Sequence, residues 1–308
     1  MAIWWVLAGI CAIIIAVWPF WIERRRRPVG RVERRNAKGE FAQLSQGVTH
    51  YRWVGSSRGP VAVMIHGLAT PMISMETVAE GLGRMGYQVL MYDLYGRGLS
   101  DAPAGLQDRA FFLRQLSDLL EHQEIESEVT LAGYSMGGSI AVAFAAENPF
   151  AVKRLFLFAP TGVMHNETGF ARFCRRVPGL GDWVHALFVY NRIKHAIPDH
   201  GETSDIDRVL RAQRRELQRR GYLPALLSSR RGMLTEVQAE AHRQLGRKGI
   251  PVVAIWAEAD RIIPINAVGK LTEWNRNARQ EIVEDADHGL PYTHGPRLIE
   301  ALRQALRD

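Results

Sequence analysis

Residues 131–139 read LAGYSMGGS. Ser135 stands alone between Gly133 and Gly137, with Gly138 next to them. An apolar, strand-like run, residues 129–135, leads into it, and a helix-like run, residues 136–148, leads away. Gly-x-Ser-x-Gly at a strand-to-helix turn is the sequence of a nucleophile elbow. The serine occupies a strained turn, and its neighbours must be tiny so that strand and helix can approach. A glycine-rich packing turn would satisfy the same letters. The strand–turn–helix setting favours the elbow.

The surroundings repeat that alternation. Short apolar runs predict buried strands at residues 61–67, 87–93, 152–160 and 251–260, with strand character also at 50–55 and a weaker last strand within 278–287. Helical segments fall at residues 75–85, 110–122, 136–148, 265–274 and 295–306. Repeated strand–helix units imply an α/β fold with a mainly parallel sheet and helices on both faces. Residues 161–217 break the rhythm: they lack a strong buried strand and are rich in arginine and aromatics. They are expected to form a helical cap above the strand ends.

A serine hydroxyl is a poor nucleophile without a base. In this architecture the order along the chain is Ser, then acid, then His. Asp260 closes the run PVVAIWAEAD, and His288 follows the last strand in DADHG. The acid would fix the imidazole tautomer and stabilise the imidazolium. Glu258 competes as the acid, but strand alternation places it deeper than Asp260. Glu167 comes too late after the strand that follows the nucleophile helix. Donors for a developing oxyanion are expected from the backbone N–H groups of Met136, just after the serine, and Leu68, in the loop after VMIHG.

The remaining histidines have plainer readings. His66 is read as orienting its loop, and His294 competes with His288 as the base but begins the last helix. His122 and His242 read as helix-surface residues. His165, His185, His195 and His200 fall in the cap, where surface and substrate-contact roles are not separable by sequence. Only two cysteines are present, Cys11 and Cys174, and neither CxxC nor HExxH spacing occurs. Neither a disulfide framework nor a metal site has motif support, and the proposed chemistry needs no cofactor.

The 308-residue chain carries a net charge of +7, part of it local. Residues 2–22 (AIWWVLAGICAIIIAVWPFWI) hold no charged side chain and cover about 30 Å as a helix, enough to cross a bilayer. Trp4, Trp5, Trp18 and Trp21 sit toward its two ends, as interfacial aromatics do. A cleaved signal peptide would want a basic segment before the apolar run and a small-residue cleavage site after it. Here RRRR follows instead, at residues 24–27. The expectation is an uncleaved, single-pass transmembrane anchor over residues 1–22, then a basic, flexible linker over 23–40. The catalytic domain, residues 41–308, should face the cytoplasm by the positive-inside rule. The anchor accounts for the basic excess better than nucleic acid does.

HGLA, DLYGRGLSD, GYSMGG, EADRIIP and DADHG occur in this order and at fitting intervals. In these motifs the chain, over residues 48–308, resembles the α/β-hydrolase superfamily. DLYGRGLSD, residues 93–101, resembles that family's Asp-x-x-Gly-x-Gly-x-Ser loop, a structural feature. Asp287 stands before His288 where the family usually has glycine. The N-terminal anchor makes the membrane-bound monoacylglycerol-lipase type the most similar. That resemblance implies a serine hydrolase acting on lipid esters such as monoacylglycerols or lysophospholipids. Ser135 argues against haloalkane dehalogenases and epoxide hydrolases, whose nucleophile is aspartate. Thioesterases, amidases or peptidases and carbon–carbon hydrolases share the motifs, and a non-enzymatic membrane-tethered binding protein is the alternative outside enzymes. The cap stretch DWVHALFVYNRI, residues 182–193, is suited to line an acyl channel, to dip into a membrane surface or simply to pack the cap.

Overall fold

A computed structural model describes residues 1–197 and 205–307; His200 lies outside the described residues. Eight strands form one sheet: β1 (Glu40–Leu44), β2 (Gly47–Gly55), β3 (Val61–Ile65), β4 (Gln88–Tyr92), β5 (Val129–Tyr134), β6 (Val152–Phe158), β7 (Val252–Ala257) and β8 (Arg279–Val283). Their order is β1-β2-β4-β3-β5-β6-β7-β8. The first three pair antiparallel, and all pairs from β4 onward are parallel. This is the α/β-hydrolase fold. Every residue of β5 and β7 is buried, which is why these strands read as unbroken apolar runs.

The helices are α1 (Ala2–Arg25), α2 (Arg31–Arg35), α3 (Glu76–Arg84), α4 (Arg109–His122), α5 (Met136–Glu147), α6 (Gly169–Arg176), α7 (Leu180–Ala196), α8 (Asp205–Glu216), α9 (Tyr222–Arg231), α10 (Ala239–Arg247), α11 (Ala267–Trp274), α12 (Leu290–Thr293) and α13 (Gly295–Arg307). One sheet face packs against α4, α5, α10 and α11 through Phe112, Leu116, Ile140, Leu245 and Leu271. The other packs against α3 and α13 through Val78, Leu82, Leu298 and Leu302. The core therefore lies in two apolar layers, and the carboxyl ends of the parallel strands are left to carry loops.

Helices α6 to α9 stand over those ends. The excursion runs further than the expected residue 217, because α9 still belongs to it. Leu217, Tyr222, Leu223 and Leu226 share one apolar cluster with Val189 of α7, and Leu68 and Ala69 of the core pack against it. Helix α1 is long and apolar enough to cross a membrane by length and composition, with a mean hydropathy of 2.3 over its best window and little of it covered by the rest of the chain.

Residues 23–40 are not the free linker their composition suggests. Arg27 forms a parallel bridge with Arg219. Its N–H donates to the Gln218 carbonyl at 3.2 Å, and its own carbonyl accepts from the Arg220 N–H at 2.9 Å. Glu23 accepts from the Gly221 N–H at 2.8 Å, and Arg34 pairs with Asp101 at 2.6 Å. The start of the segment is held by backbone groups of the cap loop at residues 217–221 and its second half by Asp101, partners that charge composition does not reveal.

His242 is the second departure. Read as a surface residue, it is fully buried on α10. Neither ring nitrogen has a hydrogen-bond partner among the described residues. Burial lowers its pKa from 6.5 to about 4, as it does for His66 and His185. The folded protein holds these rings neutral, whereas the unfolded chain takes up protons below its ordinary histidine pKa. Stability is thus intact above about pH 6.5 and is lost as the pH falls toward 4. Replacing His242 by Leu is expected to remove one such contribution, roughly 3 kcal/mol over that window. The variant should match or exceed the natural Tm at neutral pH and lose less of it on acidification. Thermal denaturation from pH 7.5 to 4.5 measures both.

Candidate active site

Ser135 sits between the end of β5 and the first turn of α5, with φ 52° and ψ −118°. That positive φ is costly for a residue with a Cβ and persists only where the surroundings over-determine it. They do so here. The Ser135 N–H donates to the Phe158 carbonyl at 3.0 Å, and the Ser135 carbonyl accepts from Gly138 at 2.9 Å and Thr161 at 3.0 Å. The flanking glycines are required by contact. A Cβ on Gly137 would stand 2.0 Å from the Ile65 carbonyl oxygen, and one on Gly133 would stand 2.4 Å from that of Gly137. Any larger residue would force β3, β5 and α5 apart.

The structure brings Ser135, His288 and Asp260 together from three loops. His288 Nε2 lies 3.0 Å from Ser135 Oγ, and Nδ1 lies 2.7 Å from Asp260 Oδ2. The other carboxylate oxygen of Asp260 accepts the N–H groups of Ile262 at 2.7 Å and Ile263 at 2.9 Å. The carboxylate is therefore fixed in rotation, with one oxygen committed to backbone and the other to the imidazole. The Asp260 side chain is almost wholly buried, whereas that of His288 keeps 18% exposure. The base is thus reachable while its acid is shielded.

The competing acids are elsewhere. Glu258 lies past the end of β7, exposed, and accepts the Asp285 N–H at 3.1 Å. It is not deeper in the strand, as alternation suggested, because β7 stops at Ala257. Glu167 forms a two-pronged pair with Arg175 at 2.9 and 2.8 Å, which holds its carboxyl below the usual range. His294 contacts Thr293 at 3.0 Å. Asp287, in the place of the usual glycine, caps the following turn by accepting the Gly289 N–H at 2.9 Å.

Two positioning residues escaped the sequence reading. Tyr134, the variable residue of the elbow, donates its hydroxyl to the His288 carbonyl at 2.7 Å. Burial pushes its phenol pKa up, so the hydroxyl keeps its proton. Arg97, fully buried, donates through Nε to the Leu68 carbonyl at 3.0 Å and through its other nitrogens to Tyr95 and Ser229. It ties the loop holding Leu68 to α9. The sequence showed both residues, but not which backbone carbonyls they would meet.

Around them, His66 is fully buried, with Nδ1 donating to the Gly67 carbonyl at 2.8 Å and Nε2 accepting from the Leu94 N–H at 2.9 Å. The second bond requires the neutral ring that burial enforces, because a protonated Nε2 could not accept. Asp93 accepts from Met72 at 2.8 Å and Leu99 at 3.0 Å, and pairs with His50 at 2.7 Å. The DLYGRGLSD loop is wound around this carboxylate. Of the cap histidines, His185 is turned inward onto the Leu223 carbonyl at 2.8 Å, and His165 and His195 are exposed.

Met136 is the first residue of α5, where an N–H has no acceptor within its helix. The Leu68 N–H makes no hydrogen bond among the described residues. Chemically, the site holds a hydroxyl on a base oriented by a carboxylate, with unspent backbone donors nearby. Among the described residues no cluster of three or more His, Cys, Asp or Glu side chains is arranged to hold a metal ion.

Residues 56–291 match the family model described as serine aminopeptidase, S33 (Hydrolase_4). The chain belongs to this family. Its relatives span several chemistries. Lipase 1 of Psychrobacter immobilis is 24% identical over 76% of this chain and 73% of its own. A 2-hydroxy-6-oxononadienedioate/2-hydroxy-6-oxononatrienedioate hydrolase of Cupriavidus pinatubonensis is 28% identical over 82% of this chain and 90% of its own. Among solved structures, a thermophilic esterase from Thermogutta terrifontis superposes with a TM-score of 0.70 at 18% identity, covering 88% of this chain and 98% of that one. The last likeness concerns the fold. Together they place this family member among esterase- and lipase-like α/β-hydrolases.

Proposed function

We propose that this S33-family protein is a serine hydrolase that cleaves carboxylic esters, lipid-like ones such as monoacylglycerols or lysophospholipids, through an acyl-enzyme. It is held in a membrane by α1, with the domain on the cytoplasmic side. The observation that carries the reading is the continuous relay Ser135 Oγ–His288 Nε2–His288 Nδ1–Asp260 Oδ2, at 3.0 and 2.7 Å.

Asp260 accepts the Nδ1 proton of His288, so Nε2 presents a lone pair to Ser135. As Oγ attacks the acyl carbonyl, its proton passes to Nε2 and the imidazolium is stabilised by the carboxylate. The negative charge growing on the carbonyl oxygen is met by the N–H groups of Met136 and Leu68. Donors fixed before the reaction cost no reorganisation during it. The helix dipole of α5 acts in the same sense. Collapse breaks the ester C–O bond, and His288 returns the proton to the leaving alcohol. Water, deprotonated by the same nitrogen, then releases the acid and restores Ser135.

An ester with a long acyl chain suits the apolar cap cluster that packs on Leu68 and Ala69. The likeness to Lipase 1 points the same way. An aminopeptidase must also hold a substrate ammonium. Three cap carboxylates among the described residues, Glu167, Asp182 and Glu216, are already paired with Arg175, Arg231 and Arg219. A panel of glycerol and nitrophenyl esters, aminoacyl amides and vinylogous diketones tests the reading. Ester turnover should exceed amide and diketone turnover by at least about 100-fold, a difference of roughly 3 kcal/mol in the barrier. Preferential cleavage of the amides or diketones would overturn it.

A further inference from the structure

We propose that the first half of α7, from Leu180 through Phe188, lies inside the same bilayer that α1 crosses, so that the cap is seated on lipid beside the active site. The inference rests on the reading of α1 as a membrane anchor. The Trp183 indole N–H donates to the Ile15 carbonyl at 3.0 Å. Ile15 stands about two helical turns, roughly 10 Å, inside the end of the apolar run at Ile22. Farther along, the Arg26 guanidinium sits 5.0 Å from the centre of the Tyr190 ring. Helices α1 and α7 therefore run side by side in the same direction. Helix α7 begins at hydrocarbon depth and leaves the membrane at the arginine cluster.

The side chains fit that depth. Leu180 is 57% exposed and Phe188 48%, with Phe173 of α6 close behind. Exposed large apolar side chains grouped on one face mark a surface that another apolar phase covers. The polar groups among them are dealt with. Asp182 is paired with Arg231 at 2.7 Å and takes the Gly179 N–H at 2.8 Å. His185 points inward to Leu223, and Arg175 is held by Glu167. Arg176, exposed, has an apolar stem long enough to carry its charge outward to phosphates. The opposite face of α7, with Val189, Tyr190 and Ile193, joins the cluster that packs on Leu68 and Ala69. One helix thus touches lipid on one side and the neighbourhood of the oxyanion donors on the other.

The test uses full-length protein in phosphatidylcholine–phosphatidylglycerol vesicles. Leu180→Asp and Phe188→Asp should each lower hydrolysis of a long-chain monoacylglycerol held in the vesicles at least tenfold. Hydrolysis of water-soluble nitrophenyl butyrate should stay within twofold. An unchanged vesicle rate would overturn the proposal. A depth measurement that needs no activity separates its failure from failure of the hydrolase reading, and it also decides the matter should both rates fall together. Leu180→Cys in a Cys11→Ser background carries an environment-sensitive fluorophore, Cys174 being buried. Quenching by doxyl-labelled lipid in preference to aqueous iodide is expected. Preferential quenching by iodide would place α7 in water and end the proposal.

Discussion

His288→Ala is expected to lower kcat/KM for a soluble ester by about 10^5-fold, with KM changed far less than kcat. Nε2 is the group that can take the Ser135 proton: it lies 3.0 Å from Oγ. Without it, the serine must attack as a neutral alcohol. The ring touches the reacting proton rather than the acyl chain, so ground-state binding is mostly spared. The remaining rate comes from backbone donors and substrate positioning, which the substitution leaves in place. His294→Ala is the matched control. That histidine bonds to Thr293 at 3.0 Å and does not reach Ser135, so its rate should stay within about twofold. Steady-state kinetics of the two variants beside the natural protein check the prediction.

Asp260→Asn should cost about 10^4-fold in kcat while leaving the fold intact. The two carboxylate oxygens have different partners. Oδ1 accepts two backbone N–H groups, from Ile262 and Ile263, so only the carbonyl oxygen of an asparagine suits that position. The amide NH2 is then forced toward His288 Nδ1. A donor there makes Nδ1 the acceptor and puts the ring proton on Nε2, facing Ser135. The catalytic constellation keeps its shape with the wrong tautomer. Glu258→Gln, by contrast, should leave kcat near the natural value, because Glu258 is exposed and its carboxylate bonds only the Asp285 N–H among the described residues. Kinetics together with Tm, expected within a few degrees of the natural protein, separate lost chemistry from lost structure.

What could be read from the letters follows the physics of each element. Strands β5 and β7, buried on both faces, announce themselves as apolar runs. The elbow glycines are legible because only a hydrogen fits between β3 and α5. Ser135, Asp260 and His288 could be named because chain order in this architecture ties each to a particular strand end. Strand β1 was not legible. EFAQL lies at the sheet edge, paired on one side only, and its composition matches the polar segment before it. The docking of residues 23–40 on the cap was equally hidden, since it depends on backbone groups far away in sequence. His242 defeated the reading for another reason. A polar ring buried with no hydrogen-bond partner among the described residues contradicts the rule by which surface residues are recognised. Tyr134 and Arg97 were visible as letters but act through carbonyls that only the folded chain brings to them.

The central claim is that Ser135 is an activated nucleophile. A fluorescent fluorophosphonate tests it without a choice of substrate, because a serine oxygen activated by a nearby base attacks the probe's phosphorus and displaces fluoride. The natural protein in detergent should be labelled in a one-to-one ratio, and Ser135→Ala, equally folded by thermal denaturation, should not be labelled at all. A well-folded natural protein that stays unlabelled, or labelling that survives Ser135→Ala, would contradict the account.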